Sequence, residues 1–358
     1  MSKIYTQNRK LFIHIGQHKT GSSSIQKALI ENKKILKKNN ISYFRVNPDK
    51  TLGSNISPWI QPKDLEDFKG VGKVKHLSEL SLNISKLSGN VIISSESFSW
   101  VNDKKELMKI KEKLNKYFKE IIIIVYLRRQ DSHAVSHSQE EAKRGGKFSF
   151  FLRENNTMLE HHKDYDYYLN YNNRLSIWAD IFGKSAIIIR IFEEKYLYKK
   201  DVVLDFFKVI GIIDNVLSFK VNETWGFEKI KVIYLIEKIK MNKYFKYIIT
   251  KNLDNSGKLL PSRKQAKEFY SFYKNSNKKL NTKFSINENN ESIFNEDFSM
   301  YPEVEKDIWT EDSANQAILN ILKSVNNLTP KTLLYIAIKI KILALKEKFK
   351  KFYKDIDY

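Results

Sequence analysis

Apolar residues in this chain follow two rhythms. Five short runs are almost wholly apolar and rich in isoleucine and valine: Leu11 to Ile15, Ile41 to Phe44, Val91 to Ser94, Ile121 to Leu127 and Ala186 to Ile191. Runs of that length and composition predict strands buried on both faces. The stretches between them space apolar side chains three and four residues apart, as at Ile25, Leu29, Ile35 and Leu36. That spacing predicts helices over Ser22 to Lys38, Leu77 to Leu87, Lys104 to Phe118, Ser132 to Ala142, Tyr167 to Phe182 and Val202 to Ile210. Strand–helix alternation implies an α/β fold, a parallel sheet flanked by helices and joined by right-handed crossovers. Residues 50–75 read as a long loop with a short helix, and 145–165 as a polar insert. Beyond about residue 225 the strand pattern stops. Helices are predicted there over Lys229 to Lys240, Lys264 to Lys283, Ala314 to Ser324 and Thr332 to Lys354, with Asn287 to Ser292 a polar loop. The expected division is one α/β domain over 1–300 and a helical extension over 301–358 that ends in a basic amphipathic tail.

At 358 residues, 42% hydrophobic and 13% aromatic, the chain can fill a large core. It has no cysteine, which excludes disulfides, zinc-thiolate sites, iron–sulfur clusters and cysteine nucleophiles. Lys and Arg number 63 against 41 Asp and Glu, a formal charge of +22. That excess suits anionic partners. A genome rich in Lys, Ile and Asn codons gives the same excess, so where the charges stand says more than their sum. Leu11 to Ile15 is too short for a secretory h-region and is interrupted by His14, and no run of about 18 apolar residues occurs. A cytoplasmic location is the default expectation.

The most informative stretch is His14-Ile-Gly-Gln-His-Lys19-Thr-Gly-Ser-Ser-Ser24. A strand enters a loop with two glycines, and a helix opens on three serines. Amides at a helix N-terminus form an anion site, and Gly16 and Gly21 allow the backbone to approach a phosphate closely. Lys19 precedes Gly21, so the order is not that of a Walker A loop, and it is not a Gly-x-Gly-x-x-Gly loop either. Lys-Thr-Gly-Ser-Ser-Ser instead resembles the 5′-phosphosulfate loop of sulfotransferases that use 3′-phosphoadenosine 5′-phosphosulfate (PAPS), in particular their bacterial carbohydrate-modifying branch. Ser22 and Ser23 stand where that branch carries threonines, and Gln26 also fits its pattern.

The strongest strand is followed by Tyr126-Leu-Arg128-Arg129-Gln-Asp-Ser-His-Ala-Val-Ser136. Arginines at a strand end beside a helix N-terminus suit a second phosphate. In the family, an arginine at a strand end and a serine eight residues later hold the 3′-phosphate; Arg128 and Ser136 have that spacing, with Arg129 an alternative. Phe192, at the end of Ala186 to Ile191, matches the aromatic that the family places near the adenine. Lys258 and Arg263 match basic positions that help close over the 3′-phosphate. The resemblance covers about residues 10 to 300. It implies a P-loop-like sulfotransferase fold and PAPS as donor, with no metal. The donor would be held by Lys19, Thr20, Gly21, Ser22, Ser23, Ser24, Arg128, Ser136 and Phe192.

Val91-Ile-Ile-Ser94-Ser95-Glu96 ends a buried strand in a carboxylate, and parallel strands converge on the ligand crevice at their C-terminal ends. The family carries its general base here, so the resemblance makes Glu96 the base and Lys19 the stabiliser of the leaving oxygen. His18 is open between a phosphate contact and a loop filler; His133 and His137 read as structural. His161-His162 has no carboxylate at useful spacing, so no metal site is read there. Trp59, Lys63, Lys143, Arg144, Lys147 and Arg153 sit in loops that suit a carbohydrate acceptor, acidic or lipid-linked. No nucleic-acid partner is expected. The tail from Lys331 to Lys354 suits an anionic membrane surface, or packing on the domain or on a second copy. Two rival readings remain: a nucleotide kinase of related fold, and a non-catalytic basic protein that binds nucleic acid or membrane.

Overall fold

A computed structural model describes residues 8–46, 49, 52–54, 60–62, 72–74, 77–101, 103–142, 159, 161, 163–221, 225–239, 241, 243–287, 292–304, 309–339 and 341. Five strands form one parallel sheet: β1 Lys10–His14, β2 Ile41–Tyr43, β5 Asn90–Ser94, β6 Glu120–Leu127 and β7 Ile187–Ile191. Their order is β2-β5-β1-β6-β7. A separate antiparallel pair, β3 Ile60–Pro62 and β4 Gly72–Val74, lies where a loop with a short helix is expected from sequence.

Alternate residues of each central strand enter opposite cores, as a two-residue period requires. Leu11, Ile13, Val91, Ile93, Ile123 and Val125 face one side. There they meet α4 (Lys104–Leu114), α7 (Tyr171–Phe182) and the long α11 (Arg263–Phe284) through Leu107, Ile110, Trp178, Phe269 and Tyr273. Phe12, Ile92, Ile124 and Tyr126 face the other side. They pack on Ile25 and Leu29 of α1 (Ser22–Glu31) and on Phe206 and Phe207 of α8 (Val202–Val209). Between these elements run α2 (Lys33–Lys38), α3 (Leu77–Ser85), α5 (Gln130–Ala142) and α6 (Lys163–Leu169). The continuous apolar strands are therefore explained by burial on both faces.

Beyond the sheet, α9 (Phe227–Lys238), α10 (Lys243–Lys251) and α12 (Glu311–Asn326) build a small core of their own from Val232, Ile236, Leu253 and Ala317. That core draws on both sides of position 300, where the sequence reading sets a domain boundary. A further helix runs through 330–339.

Two helices expected as single pieces are broken. Tyr167 to Phe182 divides at Asn170, whose side chain caps α7 by accepting from the Asn173 amide. Ser22 to Lys38 divides at Asn32, which is 2% exposed. Its amide donates to the carbonyls of Ala28 and Leu217 at 2.9 Å each, and its oxygen accepts from the Leu217 amide at 2.9 Å. A buried side-chain amide thus turns the chain and ties the 216–221 segment to α1. Asn32→Ala removes three hydrogen bonds at a buried position. It should lower unfolding free energy by about 2 kcal/mol, read as a drop in the urea midpoint with an unchanged slope.

Candidate functional site

Parallel strands deliver their C-terminal ends to one edge of the sheet, and ligands of such sheets lie where the strand order reverses. Here the reversal falls at β1, between β5 and β6. Ile15 to Gly21 leaves β1, Glu96 follows β5, Arg128 follows β6 and Phe192 follows β7. The ladders hold to their last residues. The Ile15 amide donates to the Ile124 carbonyl, the Ser95 amide to His14 and the Phe192 amide to Leu127, at 3.0, 3.1 and 2.7 Å.

The β1 loop is shaped for an anion. Gly16, Lys19 and Gly21 all have left-handed backbone, with φ of 52°, 64° and 79°. Lys19 is a non-glycine residue in that region, a conformation retained at a cost of about 1 kcal/mol or more. Gly16 is required twice over: a Cβ there would lie 3.1 Å from Glu96 Cγ, and at Gly21 one would lie 2.8 Å from Val202 Cγ1. α1 then starts on Gly21, whose carbonyl accepts the amides of Ser24 and Ile25.

Two buried side chains lock this loop to the end of β6. Gln17 Nε2 donates to the Tyr171 hydroxyl at 2.6 Å, and the Arg128 amide donates to Gln17 Oε1 at 3.4 Å. The Tyr171 hydroxyl donates to the Arg128 carbonyl at 2.7 Å, and Arg128 Nη1 to the Lys19 carbonyl at 3.2 Å. The two segments singled out in the sequence are thereby one rigid unit.

A cavity of about 310 Å³ opens beside it, bounded by Lys19, Gly21, Ser24, Arg128, Ser136 and Phe192. The 194–202 turns and the 219–221 segment complete its wall and add Lys200 and Lys220, two cations that the sequence reading misses. They follow unremarkable loops, and only the Asn32 anchor and the Val221 amide, which donates to Ser24 Oγ at 3.0 Å, bring the second one near. Thr20, Ser22 and Ser23 are not part of that wall. Thr20 spends its hydroxyl on the Gln17 carbonyl at 2.6 Å, and Ser22 donates to Glu96. Lys258 borders a different cavity, by α9 and α12. Arg263 is tied to Tyr301, Pro302 and Glu303. Neither lies on this cavity's wall.

The adjacent arginines divide their work. Arg129 spends its donors on both oxygens of Asp131, at 2.8 and 3.0 Å, and on the Asn295 and Asp297 carbonyls. Its guanidinium also lies 4.0 Å from the Phe298 ring centre. Such a buried, fully paired arginine is architecture. Arg128 bonds Ser132 at 2.8 Å, and burial pulls its guanidinium below its ordinary value, with Tyr301 and Asp131 opposing. A half-buried cation that has no carboxylate in salt-bridge contact among the described residues favours an arriving anion. Lys19 pairs with Glu140 at 3.1 Å.

Glu96 sits behind the loop, accepting from Ser22 and, at 3.3 Å, from Gln26 Nε2. Burial pushes its carboxyl up, but His18, the Ser22 hydroxyl, a backbone amide and His14 together hold it below the usual carboxylate value. His18 is itself fixed by the Tyr168 hydroxyl, 3.0 Å from Nδ1. His133 and His137 lie on α5 with ring centres 5.9 Å apart. His161 does find a carboxylate, Asp166 five residues on, at 2.9 Å, and stacks on Phe269, which corrects the reading that no carboxylate stands at useful spacing. Among the described residues, no group of three or more His, Cys, Asp and Glu is placed to hold a metal ion. Trp59, Lys63, Lys143, Arg144, Lys147 and Arg153 lie outside the described residues.

No protein-family model matches the chain. Over 122 residues it is 34% identical to an uncharacterized protein of Archaeoglobus fulgidus, a match that spans 34% of this chain and 30% of that relative. Among solved structures it is similar to a sulfotransferase from Alicyclobacillus acidocaldarius, at 13% identity and TM-score 0.43, covering 77% of this chain and 96% of the other. It is also similar to mouse sulfotransferase SULT7A1 complexed with PAP, at 11% identity and TM-score 0.29, covering 92% of this chain and 83% of the other. Likenesses of that size carry no chemistry over to this chain, whose function rests on its own residues.

The buried His14 imidazole is pulled down to about 4 by burial, with Glu96 opposing. The unfolded chain takes up that proton near 6.5, so between pH 6.5 and about 4 it binds more protons than the folded one. Stability should therefore fall as pH is lowered through that window, by up to about 3 kcal/mol. Urea midpoints measured against pH check this, and His14→Asn should flatten the fall.

Proposed function

We propose that the chain is a sulfotransferase that moves a sulfuryl group from PAPS to a hydroxyl of a carbohydrate acceptor. The observation that carries this reading is the single cavity on which Lys19, Gly21 and Ser24 of one phosphate-type segment meet Arg128 and Ser136 of the other, with Phe192 beside them. Two separated anionic groups joined by an aromatic base would fill such a site. The loop amides and Lys19 would hold the 5′-phosphosulfate, Arg128 and Ser136 the 3′-phosphate, and Phe192 the adenine.

Transfer is an in-line displacement, like phosphoryl transfer in its geometry. The acceptor oxygen forms a bond to sulfur as the bond from sulfur to the 5′-phosphate oxygen breaks. The acceptor's proton passes to Glu96, and PAP, 3′-phosphoadenosine 5′-phosphate, leaves with the electron pair. Glu96 is held ionised by its neighbours, as a proton acceptor must be before the reaction. Lys19 would turn from Glu140 to the bridging oxygen, where charge develops. A nucleotide kinase of related fold is disfavoured by the lysine's place before Gly21, on a left-handed residue.

Two outcomes are expected. Calorimetric titration with PAP, without added metal, should give micromolar binding, and Lys19→Ala and Arg128→Ala should each weaken it roughly tenfold to a hundredfold. No binding by a folded wild-type protein would reject the donor site. Glu96→Gln should bind PAP as the wild type does, yet lose roughly a hundredfold or more in sulfuryl transfer from PAPS across a panel of glycan acceptors. Full transfer by that variant would remove Glu96 from the role of base.

A further inference from the structure

Among the described residues, the C-terminal helices leave large apolar side chains exposed. Ile318, Leu322 and Val325 of α12 stand four and three residues apart on one stripe, and Leu334, Tyr335 and Ile338 lie on the helix through 330–339. These six are 49 to 63% exposed. The helices are held by their opposite sides. Ala317 and Ile321 pack with Val232, Ile236 and Leu253, and Ile336 is 5% exposed. The outward stripes are therefore surface by construction. Two exposed apolar stripes on consecutive helices of a protein with a formal charge of +22 need a physical account.

Charge selects among the occupants. Exposed Lys323, Lys331 and Lys341 and half-buried Lys339 stand on or beside these helices. From Lys331 to Lys354 the sequence carries eight lysines against one glutamate. A second copy of the chain would bring the same positive charge against itself, whereas an anionic lipid surface offers negative headgroups above an apolar layer. Among the described residues no helix is long and apolar enough to cross a membrane, so the fitting geometry is a helix pair lying in the interface. We propose that α12 and the 330–339 helix together form a docking face for an anionic bilayer, with the stripes entering the acyl boundary and the lysines at headgroup level. The face is independent of the nucleotide cavity and does not depend on which reaction that cavity serves.

Co-sedimentation of the full chain with vesicles tests it. Vesicles of equal parts phosphatidylcholine and phosphatidylglycerol should carry the protein down, vesicles of phosphatidylcholine alone should not, and high salt should weaken the binding. The double variant I318E/L322E, at exposed positions of α12, should lose roughly tenfold or more in partitioning while keeping its thermal midpoint. L334E should do the same from the second helix. Failure of the wild type to bind the anionic vesicles overturns the proposal. So does unchanged binding by I318E/L322E, which would assign any lipid contact to the tail alone. Light scattering that shows a wild-type dimer split by the same variant would reassign the face to a second copy.

Discussion

The hydrogen-bond bridge through Gln17 and Tyr171 is the constraint on which the site depends. Strand pairing alone sets β1 beside β6, but it does not fix the loops beyond the last ladder bond. Gln17 and Tyr171 are fully buried, and each satisfies the other while holding the backbone of Arg128. A buried amide or phenol left without partners costs more than the bond itself contributes, so the arrangement is favoured strongly over any in which the loop swings away. Burial also drives the Tyr171 phenol far above its ordinary value, which keeps it protonated as a donor. With the bridge in place, the strained Lys19 backbone and the Arg128 guanidinium are presented as a pair.

Electrostatic satisfaction separates structural cations from those that face the cavity. Arg129 and Arg190 each meet a buried carboxylate, Asp131 and Asp205, through more than one bond. Asp205 also accepts from the Tyr126 hydroxyl and the Tyr198 amide, which fixes α8 and the turns that wall the cavity. Among the described residues, Arg128 donates from its guanidinium to a serine and a carbonyl and lies 5.9 Å from the Phe192 ring centre, with no carboxylate in salt-bridge contact. The same residue type therefore stabilises the fold at one position and leaves an unmet demand for negative charge at the next. Glu96 follows similar logic with opposite sign: it is half-buried, yet held below the usual carboxylate value by donors and imidazoles around it.

Much of the frame was legible in the linear pattern. Leu11 to Ile15, Val91 to Ser94 and Ile121 to Leu127 read as strands because a doubly covered parallel strand must be apolar at every position. The loop from Gly16 to Gly21 was legible because positive backbone angles and close packing restrict two of its positions to glycine. The breaks at Asn32 and Asn170 were not, since an asparagine in a helical stretch looks alike whether it caps, turns or faces water. α10, over Lys243–Lys251, escaped notice because it is short and its apolar positions sit among lysines and tyrosines.

The sequence by itself determined the strand–helix rhythm, the anion-shaped loop after β1, the arginine and serine after β6 and the carboxylate after β5. Each is a local pattern, and local patterns are set by backbone sterics and burial period. Only the tertiary structure decided that Arg128 faces the cavity while Arg129 is locked into Asp131. It alone placed Lys200 and Lys220 on the cavity wall and spent the hydroxyls of Thr20 and Ser22 inside the protein. Some of those outcomes depend on partners more than a hundred residues apart, such as Asn295 for Arg129 and Tyr171 for Gln17. Pairings over such distances are settled by which buried polar groups can satisfy one another once the core has closed.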